Sequence, residues 1–123
     1  MKKQEITIAG KQAIVCYCYA VEIAFKEMTG QDINEYMSEA YESIKAERMP
    51  DTKKSIMLIV ASMLSYYQSI GTESPVKDSD IMSSATPVEM GNVLGTIIRL
   101  RMEFYHVDES EQPKEEEEDT SKN

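Results

Sequence analysis

The segment between Asp51 and Gly71 constrains the fold of this chain more than any other. It predicts a helix that is capped by Asp51 or Thr52 and runs to Ile70, with Gly71 just beyond. Apolar side chains fall on every side of this helix, at Ile56, Met57, Leu58, Ile59, Val60, Ala61, Met63 and Leu64. A helix that is apolar all round is a buried one. We therefore expect one buried central helix that the rest of the chain surrounds.

The start of the chain predicts a short β-hairpin. Residues 4–8 alternate polar and β-branched apolar side chains, residues 9–11 form a glycine-containing turn, and residues 12–19 resemble a partner strand. Two strands alone are marginally stable in water. The hairpin must therefore lie on helices or pair with strands from a neighbouring chain.

The second strand suggests how copies of this chain could associate. From Ala13 to Tyr17 it is apolar on both faces. Helices can cover one face, which leaves the other in need of cover, and a strand edge offers unpaired backbone groups to another chain. We therefore expect a homo-oligomer formed through the N-terminal hairpin.

Two amphipathic helices are predicted between the hairpin and the central helix. The first starts near residue 20 and ends at Gly30, and its apolar face carries Val21, Ala24, Phe25 and Met28. The second has Asp32 as its N-cap, Glu35 as the partner in a variant capping box, and Pro50 as its limit. Its apolar positions are Ile33, Tyr36, Met37, Ala40, Tyr41 and Ile44.

The last helix has the clearest start signal in the sequence. Residues 86–89, Thr-Pro-Val-Glu, provide an N-cap, proline at the first helical position and a capping-box glutamate, and the helix should reach about Tyr105. Residues 78–83 predict a helical turn before it. Gly91 and Gly95 favour close packing against a neighbour within the chain, and a contact between subunits stays open as the alternative. The nine methionines are interpreted mainly as core side chains, with any exposed ones marking a binding surface.

Charge divides the chain into two parts. The formal net charge is −9, from 22 acidic and 13 basic residues, and eight of the acids lie from Asp108 onward beside only two lysines. We predict one helical domain with an N-terminal hairpin over residues 1–107 and a disordered acidic tail over 108–123. The fold class is mostly α (α+β), with about four helices after the hairpin. The nearly neutral domain argues against nucleic-acid binding, which needs a basic surface.

The sequence offers little for catalysis or metal binding. His106 is the one histidine, and we interpret it as a surface residue near a helix C-terminus. Cys16 and Cys18 share one face of a strand, but a structural zinc site needs four ligands, so small buried side chains are the simpler interpretation. We assign no catalytic, cofactor-binding or metal-binding residue, and expect no enzyme and no cofactor.

Targeting signals are not evident in this sequence. The first ten residues have no apolar segment after their two lysines, so we predict no signal peptide. The longest apolar stretch, residues 56–64, is far shorter than the roughly 20 residues that span a membrane. Two cysteines one residue apart fit a reducing compartment. We expect a cytoplasmic protein without a membrane partner.

The order of these segments resembles a known family. The hairpin sequence Ile-Thr-Ile-Ala-Gly-Lys leads into Tyr-Ala-Val-Glu-Ile-Ala-Phe-Lys-Glu-Met-Thr-Gly at residues 19–30, followed by a helix that begins Gln-Asp-Ile. This pattern resembles the tail assembly chaperones of long-tailed bacteriophages and prophages. Residues 22–30 are the most similar stretch, the resemblance extends over 5–70, and it is looser over 86–107. The acidic tail has no counterpart in it.

The resemblance implies a non-enzymatic function in tail assembly. Members of that family bind the aggregation-prone tape-measure protein in the cytoplasm of the host cell and recruit tail-tube subunits. Many have a second, longer form made by ribosomal frameshifting. A helical domain with an apolar groove could bind such a client. The alternative hypothesis is a small helical adaptor or regulatory protein-binding module, unrelated to phage, that recognises one short partner helix.

The composition of the tail leads to a stability prediction. Deleting residues 109–123 should leave the free energy of unfolding unchanged, because this segment has no large apolar side chain to bury. Urea titrations of the full chain and of the truncated chain, followed by circular dichroism, test this. A clear drop in the urea midpoint of the truncated chain would show that the tail docks on the domain.

Overall fold

A computed structural model describes residues 1–106 as a hairpin followed by five helices. The strands are β1 (Lys2–Ile8) and β2 (Lys11–Tyr17). The helices are α1 (Tyr19–Thr29), α2 (Ile33–Lys45), α3 (Thr52–Ser69), α4 (Asp78–Ser84) and α5 (Pro87–Phe104). This confirms the predicted fold class; the predicted helical turn is the short helix α4. The predicted acidic tail, residues 108–123, lies outside the described residues.

The hairpin closes through a two-residue turn. β1 and β2 pair antiparallel, from Lys2 opposite Tyr17 to Ile8 opposite Lys11. Ala9 and Gly10 between them have φ angles of 54° and 74°, as a type I′ turn requires. β1 begins two residues earlier than the alternation suggests, and β2 ends at Tyr17 because Tyr19 already begins α1.

Helices cover both faces of the second strand. Val15 and Cys16 are adjacent in β2, so their side chains point to opposite faces, and each has an exposed fraction of 0%. α3 packs on β2, and α5 packs on both strands. The expectation that one face of β2 needs cover from another chain is therefore wrong, because two helices of the same chain supply it. Self-association through the hairpin itself stays a prediction.

α5 begins with the predicted capping box and also holds the hairpin turn. The Glu89 carboxylate accepts the Thr86 N–H at 3.1 Å, while the Thr86 hydroxyl accepts the Glu89 N–H at 3.1 Å. The same carboxylate accepts the N–H groups of Ala9 at 3.0 Å and Gly10 at 3.4 Å. The Thr86 N–H is the main cause of a lowered pKa for Glu89, and the two turn N–H groups add to it. The Glu89 side chain thus both caps α5 and holds the hairpin turn against this helix.

α3 is the buried central helix, although one side of it stays partly open. The N-cap is Asp51, whose carboxylate accepts the Lys54 N–H at 2.9 Å. Leu58 and Ile59 each have an exposed fraction of 0% and lie in a core to which all seven elements contribute. Met57 and Val60 are only partly buried. Within residues 1–106, no helix is both long and apolar enough to cross a bilayer.

Only part of the apolar face of α2 is buried. Ile33, Tyr36 and Ala40 are buried, but Tyr41 and Ile44 are 64% and 50% exposed, contrary to the sequence prediction. The α2 side chains that reach the core come from its first two turns; Tyr36 reaches α3, where its hydroxyl lies 2.6 Å from that of Ser55. The N-cap Asp32 accepts the Asn34 N–H at 2.8 Å, in place of the predicted capping box with Glu35.

The two glycines of α5 do not pack inside the chain. Gly91 and Gly95 are exposed, and no atom from elsewhere in the described residues lies within 4 Å of the position that a Cβ would take. The favoured interpretation, close packing within the chain, is therefore wrong. The buried face of α5 is formed instead by Met90, Val93, Leu94, Ile97 and Leu100.

The burial of α3 predicts a large stability effect. Leu58→Ala and Ile59→Ala should each lower the free energy of unfolding by about 2–5 kcal/mol, because each leaves a cavity in a packed core. Val88→Ala is the control, since Val88 in α5 is 72% exposed. Urea denaturation measures all three. Losses below about 1 kcal/mol for both core variants would contradict the central position of α3.

Candidate functional site

An open apolar groove lies between α1, α3 and the segment that joins α3 to α4. Its volume is about 580 Å³. Met63 and Val76, both nearly fully buried, lie at its base. The remaining apolar lining residues are Met28, Met57, Val60, Leu64 and Tyr67. Residues from α1, from α3 and from the connecting segment thus form one apolar surface.

The groove exists because α3 is apolar on more sides than its neighbours cover. Met57, Val60 and Leu64 follow one another at spacings of three and four, which places them on one face of the helix. The other faces pack against β2, α1, α4 and α5. The side chains on this remaining face are only partly buried, which leaves apolar surface in the groove.

A second hollow extends the groove along α1. It has a volume of about 330 Å³ and shares Met28, Leu64 and Gln68 with the first. Ala20, Ile23 and Ala24 of α1 add to its lining. From Met57 to Gln68 the floor of the combined groove follows α3 for about 16 Å, the rise of three helical turns. This length suits a short helix of a partner protein.

Three of the nine methionines line this groove. Met28, Met57 and Met63 line it. Of the nine methionines, Met63 and Met90 are buried, so the expectation that most of them fill the core is wrong. Methionine side chains are flexible and polarisable, and they are common on surfaces that adapt to several partners.

The rim of the groove carries more negative than positive charge. Glu27, Glu73 and Asp78 contribute carboxylates, against the ammonium group of Lys77. Lys77 Nζ lies 4.0 Å from Glu73 Oε1, and both side chains are well exposed. An exposed pair at this distance is weak, and the described rim carries a net negative charge.

The one histidine and the carboxylates on the solvated side of α2 lie outside this groove. His106 is exposed, follows the end of α5, and lines neither hollow. Glu39 and Glu42 lie on the solvated side of α2, each 4.0 Å from a lysine ammonium group. Across residues 1–106, no three or more His, Cys, Asp or Glu side chains are grouped to hold a metal ion.

Asp80 has a structural position at the start of α4. Its carboxylate accepts the Lys77 N–H at 2.9 Å and lies 3.3 Å from Lys11 Nζ. The Lys77 N–H is the main cause of a lowered pKa for Asp80, and the Lys11 ammonium group adds to it. This carboxylate therefore caps a helix and contacts the first residue of β2.

The two cysteines differ in burial. Cys16 is fully buried, and its thiol donates to the carbonyl of Ser62 in α3 with Sγ 3.4 Å from the oxygen. Burial, with a smaller contribution from Cys18, raises the pKa of the Cys16 thiol to about 12. Cys18 is only partly buried. Cys16 matches the predicted small buried side chain, and Cys18 matches it in part.

Sequence reasoning missed a polar cluster where α5 ends. The hydroxyls of Tyr17 and Tyr105 both donate to one Glu22 oxygen, at 2.8 Å and 2.5 Å, and Arg101 Nε donates to the Tyr17 hydroxyl at 3.2 Å. Burial is the main cause of the raised pKa of Tyr17, whereas the bond to Glu22 raises the pKa of Tyr105 to about 12. Arg101 also donates to the side-chain oxygen of Asn34. The cluster connects α5 to β2, α1 and α2, and its members are too distant in sequence to form a recognisable motif.

Comparisons with known proteins were made at three levels. No family model, no curated protein and no solved structure matches this chain.

The difference in burial between Cys16 and Cys18 predicts that their thiols react at different rates. In the native protein at pH 8, a disulfide reagent such as DTNB should modify Cys18 readily and Cys16 very slowly. Cys16 is buried, and a pKa of about 12 leaves on the order of one thiol in ten thousand ionised. Cys18→Ser should remove the fast phase and Cys16→Ser should retain it. Equal rates for both thiols in the native protein would contradict this packing.

Proposed function

We propose that this chain is a non-enzymatic chaperone that binds an amphipathic helix of a client protein in the groove between α1 and α3. On the sequence resemblance, the client is the tape-measure protein of a long-tailed phage, tail-tube subunits are further partners, and the site of action is the bacterial cytoplasm. The observation that carries the proposal is the open apolar groove, which Met28, Met57 and Met63 help to line. An open apolar groove of this length is suited to an amphipathic helix.

The chemistry of the groove supports a client with varied apolar faces. Met28, Met57 and Met63 can adopt different rotamers, so the same groove can fit helices whose side chains differ in size. A long helical client presents many such segments in succession. Several copies of the chain can then bind along it, and weak single sites add up to strong overall binding.

The acidic rim supports a client helix with basic flanks. Glu27, Glu73 and Asp78 would face basic residues on either side of the bound apolar stripe. Such complementarity speeds association and selects the orientation of the helix more than it adds affinity. Binding should therefore weaken as ionic strength rises.

The alternative function, a helical adaptor unrelated to phage, depends on the same groove. It differs in its client, which would be one short helix of a regulatory partner. The neighbouring genes separate the two hypotheses. Genes for tail-tube and tape-measure proteins beside this one support the chaperone, and their absence supports the adaptor.

A binding experiment tests the chaperone proposal. Fluorescence anisotropy should detect micromolar binding of a labelled helical fragment of the tape-measure protein encoded beside this gene. Met57→Glu should weaken binding at least about tenfold, because it places a charge in the apolar groove. Met82→Glu is the matched control, since Met82 is exposed on α4 outside the groove and should bind within about twofold of the original protein.

Two outcomes would contradict the proposal. One is that the original protein fails to bind the fragment at about 100 μM, well above the affinity expected of a useful single site. The other is that Met57→Glu and Met82→Glu affect binding equally, which would place the contact outside the groove. Circular dichroism of each variant verifies that the fold is retained.

A further inference from the structure

The outer edge of β1 exposes backbone groups that no strand of the described chain pairs. The sheet has two strands, and β1 lies at its edge. In a hairpin closed by a two-residue turn the flanking pair, here Ile8 and Lys11, is hydrogen-bonded, and bonded and non-bonded pairs then alternate. The N–H and C=O groups of Lys3, Glu5 and Thr7 therefore point away from β2.

The two edges of the hairpin are covered to different extents. On β2, the outward N–H of Ile14 donates to the hydroxyl of Tyr67 in α3 at 3.1 Å. On β1, within residues 1–106, the outward groups have one bond, a long 3.4 Å contact from the Gln4 side chain to the Glu5 carbonyl. Lys3, Glu5 and Thr7 are all exposed. α3 thus covers part of the β2 edge, at Ile14 and at the fully buried Cys16, and the described residues leave the β1 edge open.

We propose that a second copy of this chain pairs with the open edge, so that the two β1 strands run antiparallel across a twofold axis with Gln4 opposite Gln4. The two hairpins then form one four-stranded sheet. In this register Lys3 of each copy lies opposite Glu5 of the other, and the outward backbone groups of these residues bond to each other. The pairing is self-complementary, as a twofold interface requires.

The charges of Lys3 and Glu5 favour this register over the neighbouring registers. If the twofold axis passes through Glu5, the Glu5 side chains of the two copies lie opposite each other. If it passes through Lys3, the two Lys3 side chains lie opposite each other. Like charges directly opposite in a sheet are unfavourable, whereas opposite charges attract. In a register that sets Lys3 opposite Gln4, the backbone groups of Lys3 that point out of the hairpin would meet those of Gln4, which point toward β2. The hydrogen bonds between the copies could then not form. Only the register centred on Gln4 gives two opposite-charge pairs.

The surroundings of the edge leave room for the second copy. α5 runs along the hairpin from the turn, where Glu89 lies, to Gln4, whose side-chain oxygen accepts a bond from Arg99 at 3.1 Å. One turn before Arg99 is the exposed Gly95, which has no side chain to obstruct an approaching chain. The Lys3 ammonium group lies 5.6 Å from the centre of the Tyr66 ring in α3, so the Lys3 side chain lies on the face of the sheet that α3 covers.

A charge exchange on β1 tests the proposed dimer. Analytical ultracentrifugation of the full chain should show a concentration-dependent dimer. Lys3→Glu and Glu5→Lys should each raise its dissociation constant about tenfold or more, because each turns two attractive pairs into two repulsive ones. The double variant Lys3→Glu/Glu5→Lys should restore dimerisation to within about threefold of the original protein.

A control and a second measurement locate the contact. Lys53→Glu changes the net charge by the same amount as Lys3→Glu, on an exposed residue of α3, and should leave the dimer unchanged. Hydrogen exchange measured by NMR should show that the amides of Lys3, Glu5 and Thr7 become protected as the protein concentration rises. The amide of Gln4, which already bonds to β2, should change little.

Each contrary outcome overturns the proposal. A monomer at millimolar concentration would mean that Lys3 and Glu5 only protect the edge from pairing, as charges on edge strands often do. Dimerisation that is insensitive to both single variants, or that the double variant fails to restore, would place the interface elsewhere. Groove binding by the Met57 and Met82 variants is measured separately, so this dimer and the proposed function can fail independently.

Discussion

The packing of β2 between α3 and α5 is the contact on which the rest of the structure depends. A two-stranded hairpin is at best marginally stable in water, and α3 carries apolar side chains on every side. Packing against each other therefore stabilises both. Cys16 and Tyr67 show how close this contact is, since the thiol of Cys16 bonds the carbonyl of Ser62 and the hydroxyl of Tyr67 bonds the N–H of Ile14. α5 covers the opposite face, and Glu89 holds it to the hairpin turn.

The same contact decides which surfaces stay open. α3 packs on β2 with one side, and α1, α4 and α5 take others, which leaves the face of Met57, Val60 and Leu64 half exposed as the groove floor. Tyr67 covers part of the β2 edge, so within residues 1–106 the more open edge of the hairpin is that of β1. The apolar groove and the strand edge are thus two consequences of one arrangement.

The two proposed interactions use different parts of the molecule. The groove is lined by α1, α3 and the segment before α4, whereas the proposed dimer uses β1. A dimer of this kind carries two grooves, and two linked sites bind a client with repeated helical segments more tightly than two separate ones. Proposed self-association and proposed client binding would therefore reinforce each other.

The sequence by itself determined the elements whose signals are local. Asp51 and residues 86–89 fix helix starts because a cap bonds N–H groups two or three residues away, and Gly30 ends α1 because its φ of 76° suits glycine. Tertiary structure alone decided which apolar residues are covered. Tyr41 and Gly95 follow helical patterns that suggest contact, yet both are exposed, because burial depends on neighbours that are distant in sequence. The groove could not be predicted for the same reason, since Met28, Met57 and Val76 come from three segments that only folding brings together.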